Sequence, residues 1–91
     1  NVYKLNMANM GLEDEELAPL KFMKNLHFLR LENNEITGSL LIDLNELTQL
    51  KYLNLNENPL SETAREALEQ LAFIDKIYLW QTRFEDSNSA L

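Results

Sequence analysis

The residues able to do chemistry in this 91-residue chain are few, and they are the wrong kinds for most reactions. His27 is the only histidine, and cysteine is absent. One imidazole with no thiolate and no second imidazole makes neither a usual zinc site nor a nucleophile–base triad. It reads as an edge residue before a strand. The lack of thiols also removes disulfides and haem attachment through Cys-x-x-Cys-His from this segment. Glu13-Asp14-Glu15-Glu16 concentrates carboxylates but lacks the Asp-x-Asp-x-Asp-Gly loop that places oxygens around calcium. Its plainer use is a solvated helix start, favoured by the helix dipole. Gly11 and Gly38 are the only glycines, so no glycine-rich phosphate loop can form. Arg30, Glu32 and Lys76 are all that remains of a titratable cluster, too little for a catalytic centre. These observations predict no enzyme, no metal and no cofactor. The chemistry left over is recognition by rings and a guanidinium, the side chains most enriched at binding hot spots.

The elements that must position those rings follow from a period of 24 residues. Four windows share one pattern. They run from Val2 to Leu12, Leu26 to Ile36, Leu50 to Leu60 and Ile74 to Phe84. In the second, Leu26, Leu29, Leu31, Asn34 and Ile36 take the first, fourth, sixth, ninth and eleventh places. A fixed period of this size signals a solenoid whose units bury apolar faces only against their neighbours. Apolar residues at the fourth and sixth places flank one variable residue, as in Leu29-Arg30-Leu31 and Leu53-Asn54-Leu55. That alternation predicts four short half-buried strands in a parallel sheet. Asn34 and Asn58 suit a turn and can bond the neighbouring coil. Met10 and Thr82 stand in their place in the outer units, so any asparagine ladder is short. Met7, Met10 and Met23 fall at core places, where packing explains them.

The second half of each unit returns on the opposite side. Ser61 to Leu71 predicts a helix capped by Ser61, with Ala64, Leu68 and Leu71 on one face. Thr37 to Leu47 has similar spacing, with Gly38 weakening its start. Pro19 interrupts Glu13 to Met23, so that helix should be short or start late. The tail from Glu85 to Leu91 looks loosely held.

Alternation turns the third, fifth and seventh places outward together. The third row is Lys4, Phe28, Tyr52 and Lys76; the fifth is Asn6, Arg30, Asn54 and Tyr78; the seventh is Ala8, Glu32, Asn56 and Trp80. Four of the chain's eight aromatics, including its only Trp, land on this face. The candidate partner-binding residues are therefore Phe28, Arg30, Glu32, Tyr52, Asn54, Asn56, Lys76, Tyr78 and Trp80. A plainer use exists for each. Rings on a sheet also pack across strands, worth about 0.2–1 kcal/mol per pair. Lys4 and Lys76 can sit on Phe28 and Tyr52. Arg30 and Glu32 can form an intra-strand ion pair worth about 0–1 kcal/mol. Trp80 can serve as a cap under the residues after Phe84.

The pattern Leu-x-x-Leu-x-Leu-x-x-Asn-x-Leu resembles that of leucine-rich repeat proteins and covers residues 2 to 84. The return segments, with Leu17, Leu20, Leu41 and Leu44, look like the ribonuclease-inhibitor or cysteine-containing types. Arg65 departs from that pattern in the third unit. Ile77-Tyr78-Leu79-Trp80-Gln81-Thr82 is similar to a last-repeat sequence of bacterial envelope proteins, some carrying c-type cytochrome domains. The resemblance implies an α/β solenoid, right-handed, of about four coils. Strands form a concave parallel sheet and short helices line the convex side. It also implies a non-catalytic module that binds a protein partner through the concave face. An architectural spacer in a larger envelope protein is the alternative.

One domain spans 1–91, with coils starting near 2, 26, 50 and 74. The chain opens inside a repeat, so we expect a segment of a longer protein. A formal charge of −7, with only eight Lys and Arg, argues against nucleic acid and an anionic membrane surface as partners. The compartment stays open; the envelope resemblance leans towards the bacterial periplasm. Bare solenoid ends expose sheet edge and core, which predicts self-association or ends covered by irregular tails.

Overall fold

The computed structural model describes residues 2–85. Its four strands are β1 (Lys4–Asn6), β2 (Phe28–Arg30), β3 (Tyr52–Asn54) and β4 (Lys76–Tyr78). They form one parallel sheet in chain order. The register repeats without slippage: Leu5 faces Leu29, Leu29 faces Leu53, and Leu53 faces Ile77. Equivalent residues therefore lie in columns, as the 24-residue period demands. Leu26, Leu29, Leu31 and Ile36 are wholly buried, and Leu50, Leu53, Leu55 and Leu60 repeat that set one coil on. Each such side chain contributes about 1.5–3 kcal/mol by leaving water. Among the described residues, no helix is long and apolar enough to cross a membrane.

The return segments differ from expectation. Of the three described in full, only the third is α-helical, α1 (Ala64–Gln70). The first two are 3₁₀ helices, Asp14–Phe22 and Leu41–Glu46. The spacing of their leucines explains this. Leu17, Leu20 and Met23, like Leu41, Leu44 and Leu47, recur every three residues, which is the 3₁₀ period. Three residues per turn keep that column facing the core. A rise of about 2.0 Å per residue also crosses the return side in fewer residues than an α-helix needs. Pro19 lies inside the first 3₁₀ helix without ending it, because its fixed φ is within the 3₁₀ range. In α1 the buried residues are Ala64 and Ala67, and Leu71, buried just past its end, continues them at α spacing. Arg65 is thereby turned outward. Ser61 does not cap α1: its hydroxyl bonds Thr63 Oγ1 and Thr37 O, and Thr63 holds the cap position.

Three rows of polar contacts tie coil to coil. In the first row Asn34 Oδ1 accepts from Met10 N and Leu12 N, both at 3.0 Å. Asn58 Oδ1 accepts from Asn34 N and Ile36 N, both at 3.1 Å. Each asparagine also donates through Nδ2 to carbonyls of its own coil and of the preceding one. The second row holds Asn9, Asn33, Glu57 and Gln81, all with φ between 57° and 60°. This left-handed residue turns the chain off the strand in every coil. Asn tolerates that conformation better than Glu or Gln, which adopt it here because the stack imposes it. Backbone N–H groups of Asn9, Asn33 and Glu57 donate to Glu32 O, Asn56 O and Trp80 O in the next coil.

The third row overturns the reading of the acidic run. Glu13, Glu15 and Glu16 are exposed, but Asp14 is buried. Its carboxylate accepts from Thr37 N, Thr37 Oγ1, Gly38 N and Leu40 N at 2.7–3.3 Å. Burial pushes the Asp14 carboxyl up, and these hydrogen bonds outweigh it and hold its pKa below the ordinary value. A carboxyl depressed in the fold stabilises above its unfolded pKa, about 3.9, and loses that as pH falls through the folded value. Wild-type stability should thus decline below about pH 4. Asp14→Asn, which sets an NH₂ against N–H donors, should cost about 1–3 kcal/mol at neutral pH. The two proteins should converge in acid. Urea titrations of both from neutral pH downward check this, and parallel pH profiles would refute it.

The two ends are not alike. In coil four Phe84 N donates to Thr82 Oγ1, and Gln81 N donates to Glu85 Oε1 at 2.7 Å. Of the corresponding inner-coil groups, Asn33 N, Glu57 N and Ile36 N donate forward to the next coil, while Leu60 N donates to Asn58 O of its own. The last coil thus closes its own donors. Phe84 folds in beneath the Arg65 guanidinium, 5.2 Å from its ring centre. The expected loose tail, 86–91, lies outside the described residues. At the other end Val2, Tyr3, Met10 and Phe22 are exposed. Met10 is therefore not a core residue.

Candidate functional site

One face of the sheet packs on the leucine core, and the other is open. Because each strand contributes three residues in fixed register, the side chains of the open face form rows. Lys4, Phe28, Tyr52 and Lys76 stand in line. The rings touch in sequence. Tyr3 lies 4.4 Å from His27 and 5.7 Å from Phe28, centre to centre. Phe28 lies 5.8 Å from Tyr52, and Tyr52 lies 5.3 Å from Tyr78. All four pairs are tilted rather than stacked, the offset geometry that aromatic quadrupoles favour. A ribbon of rings thus crosses all four coils. Tyr3 and His27, one place before the third row, extend it. Sequence reasoning left them out because the second place precedes the strand and has no fixed side. His27 has a structural use: its Nδ1–H donates to Asn25 O at 2.7 Å while its ring lies against Tyr3.

The other expected residues divide into two groups. Trp80 and Tyr78 are among the exposed large apolar side chains, and Lys76 is exposed too. The residues after Phe84 that could cover Trp80 lie, beyond Glu85, outside the described set; Trp80 itself is 54% exposed. Asn54 is a correction. It sits in the outward row but is buried. Its Oδ1 accepts from Asn56 N at 3.0 Å, and its Nδ2 reaches the Tyr52 hydroxyl at 3.4 Å. The flanking side chains close over it, so it positions neighbours rather than meeting a partner. Asn56 Oδ1 in turn accepts from Trp80 N at 2.6 Å, which fixes the backbone beneath the indole.

Arg30 and Glu32 form the intra-strand pair that their spacing suggested. Arg30 Nε donates to Glu32 Oε2 at 3.0 Å, and Nη2 reaches the same oxygen. That bond and the Glu32 charge hold the guanidinium pKa above its ordinary value. Half of the Arg30 side chain stays exposed, while Glu32 is mostly covered and its Oε1 has no hydrogen-bond partner among the described residues. Lys4 stands 5.1 Å over the Phe28 ring. Lys76 makes no comparable ring contact among the described residues.

A half-open cavity of about 780 Å³ lies between α1 and β4, lined by Arg65, Leu68, Ile77 and Phe84, with Lys76 and Tyr78 of the sheet also at its wall. It lies beside the last described coil of the core column. The open sheet face is a surface rather than a cleft. It can offer rings, three cations and amides to a large partner.

Repeats in register, one parallel sheet and asparagine rungs define a leucine-rich repeat solenoid. The chain belongs to that family: the model for the Leucine Rich Repeat matches residues 25–47 and 49–71. Family members are generally protein-interaction modules and typically non-catalytic. The chain is also similar to Receptor protein-tyrosine kinase CEPR1 of Arabidopsis thaliana, 40% identical over 55 residues. That stretch is 60% of this chain and 6% of the relative's length. No solved structure matches.

Proposed function

We propose that this chain is a non-catalytic recognition segment that holds a protein partner on the open, concave face of its sheet. The observation carrying this reading is the continuous ribbon from Tyr3 through Phe28 and Tyr52 to Tyr78, with Trp80 exposed beside it. Large rings ordered before binding lose little entropy when covered, and they desolvate easily. Phe28, Tyr52, Tyr78 and Trp80 are the anchors, and Arg30, Lys76 and Asn56 lie among them. Glu32 and Asn54 shape the surface from beneath. The plant relative is named as a receptor, which agrees with recognition.

Changing Phe28, Tyr52, Tyr78 and Trp80 together to Ala should abolish partner recovery in a pull-down, while far-UV circular dichroism stays that of the wild type. Undiminished recovery would remove the reading. The mutual ring contacts favour a second one, an architectural spacer such as the envelope resemblance implies. It requires Trp80 to be shielded from solvent by a neighbouring domain in a longer protein. For self-association, the first coil is the end at which a second copy could stack, since the fourth closes its own donors.

A further inference from the structure

Four of the chain's eight cationic side chains are committed to ion pairs. Lys24 pairs with Glu46, Arg30 with Glu32, and both Arg65 and Arg83 with Glu62. Among the described residues, Lys4, Lys21, Lys51 and Lys76 are in none. Fifteen carboxylates are present to pair with them, and two of these lysines stand on the open sheet face. Lys4 and Lys76 end the row whose middle is Phe28 and Tyr52. Lys51 borders Tyr52 at the edge. The one carboxylate in the three outward rows is Glu32, already neutralised by Arg30. Lys4, Arg30 and Lys76 against Glu32 leave this face two charges positive. The whole chain carries −7, so the rest of it carries a net charge of −9.

We propose that the partner presents an acidic, extended segment running across the strands, with one carboxylate at Lys4, another at Lys76 and an apolar side chain between them on Phe28 and Tyr52. This rests on the reading of the open face as the binding face. The spacing is set by the sheet. Strands about 4.8 Å apart put β1 and β4 about 14 Å from each other. An extended chain advances about 3.3 Å per residue, so the two carboxylates fall about four residues apart. Alternation then points residues i, i+2 and i+4 to the same side, giving acid–x–apolar–x–acid. Single-stranded nucleic acid also stacks on rings beside cations. A run of phosphates, however, would extend past the positive row onto the acidic surface.

Trp80, the sole Trp and exposed on this face, reports binding by fluorescence. The probes are the capped peptide Gly-Ser-Glu-Ser-Phe-Ser-Glu-Ser-Gly, its counterparts with both Glu replaced by Gln or by Lys, and a thymidine oligonucleotide. The wild type should bind the Glu peptide about tenfold more tightly than the Gln peptide, as two exposed charge contacts allow. Added salt should shrink that margin. The double variant Lys4→Glu, Lys76→Glu, checked for folding by circular dichroism, should prefer the Lys peptide. Equal binding of the Glu and Gln peptides, lost in Tyr52→Ala, would overturn the acidic partner and leave the binding face intact. A Glu preference that the double variant does not reverse would also overturn it. Binding of no peptide, or of the oligonucleotide instead, would overturn both.

Discussion

Gly38→Ala should destabilise the protein by about 4 kcal/mol, a large share of the 5–15 kcal/mol typical of a domain. Two costs combine. Gly38 has φ +110°, a conformation that side chains rarely adopt, worth about 1–3 kcal/mol. A Cβ there would also collide with Ala64 Cβ and lie 2.9 Å from Ala64 Cα. Overpacking of this kind costs about 1–3 kcal/mol when neighbours cannot move. Here they cannot move freely, because Asp14 holds the N–H groups of Thr37, Gly38 and Leu40 from the coil before. Guanidinium denaturation of Gly38→Ala, Ala64→Gly and the double variant separates the two costs. Ala64→Gly alone should cost about 1 kcal/mol as a helix substitution. In that background Gly38→Ala should cost less, since one clash is gone, but φ and crowding against the backbone of residue 64 still oppose it. A cost below about 1 kcal/mol for Gly38→Ala would show that the loop has room to shift.

Asn58→Ala should be the second severe change, about 3–5 kcal/mol. Asn58 is 2% exposed. Its amide satisfies Asn34 N, Ile36 N, Leu31 O and Leu55 O at 2.9–3.1 Å, linking two coils. An unsatisfied buried group costs about 1–3 kcal/mol, and partial entry of water keeps the total below a simple sum. Asn58→Thr should cost less. At the same place in coil four Thr82 bonds Leu79 O and Phe84 N within its own coil. Threonine would therefore keep the intra-coil bond and lose the inter-coil ones. Hydrogen exchange should show the Ile36 amide losing protection in both variants, and unchanged exchange would disprove the assigned role. This change and Gly38→Ala act on opposite sides of the coil, one on the turn after the strand and one on the return.

Much of this was legible because a repeat constrains many residues at once. The 24-residue spacing implies which residues stack, and the leucine columns, the sheet register and the short asparagine ladder all appear where it places them. The outward rows were readable for the same reason, since alternation leaves no other side for Phe28, Tyr52, Tyr78 and Trp80. The 3₁₀ geometry was also written in the chain, in the three-residue spacing of Leu41, Leu44 and Leu47. A general preference for α-helical returns obscured it.

Other features had no local signature. Nothing near Asp14 distinguishes it from Glu13, Glu15 and Glu16. Its burial depends on the N–H groups of a loop 23 to 26 residues later. Gly38 looks like a weak helix start until Ala64 of the next coil is seen against it. Asn54 and Asn56 look alike in sequence, yet one is buried and the other only partly covered. The amino-acid order thus determined which residues share a column and which share a face, because those follow from period and alternation along one chain. Only the tertiary structure decided which polar groups are enclosed, which backbone must lack a side chain and how the last coil closes. Those depend on distances between coils, where a difference of about one ångström separates contact from collision.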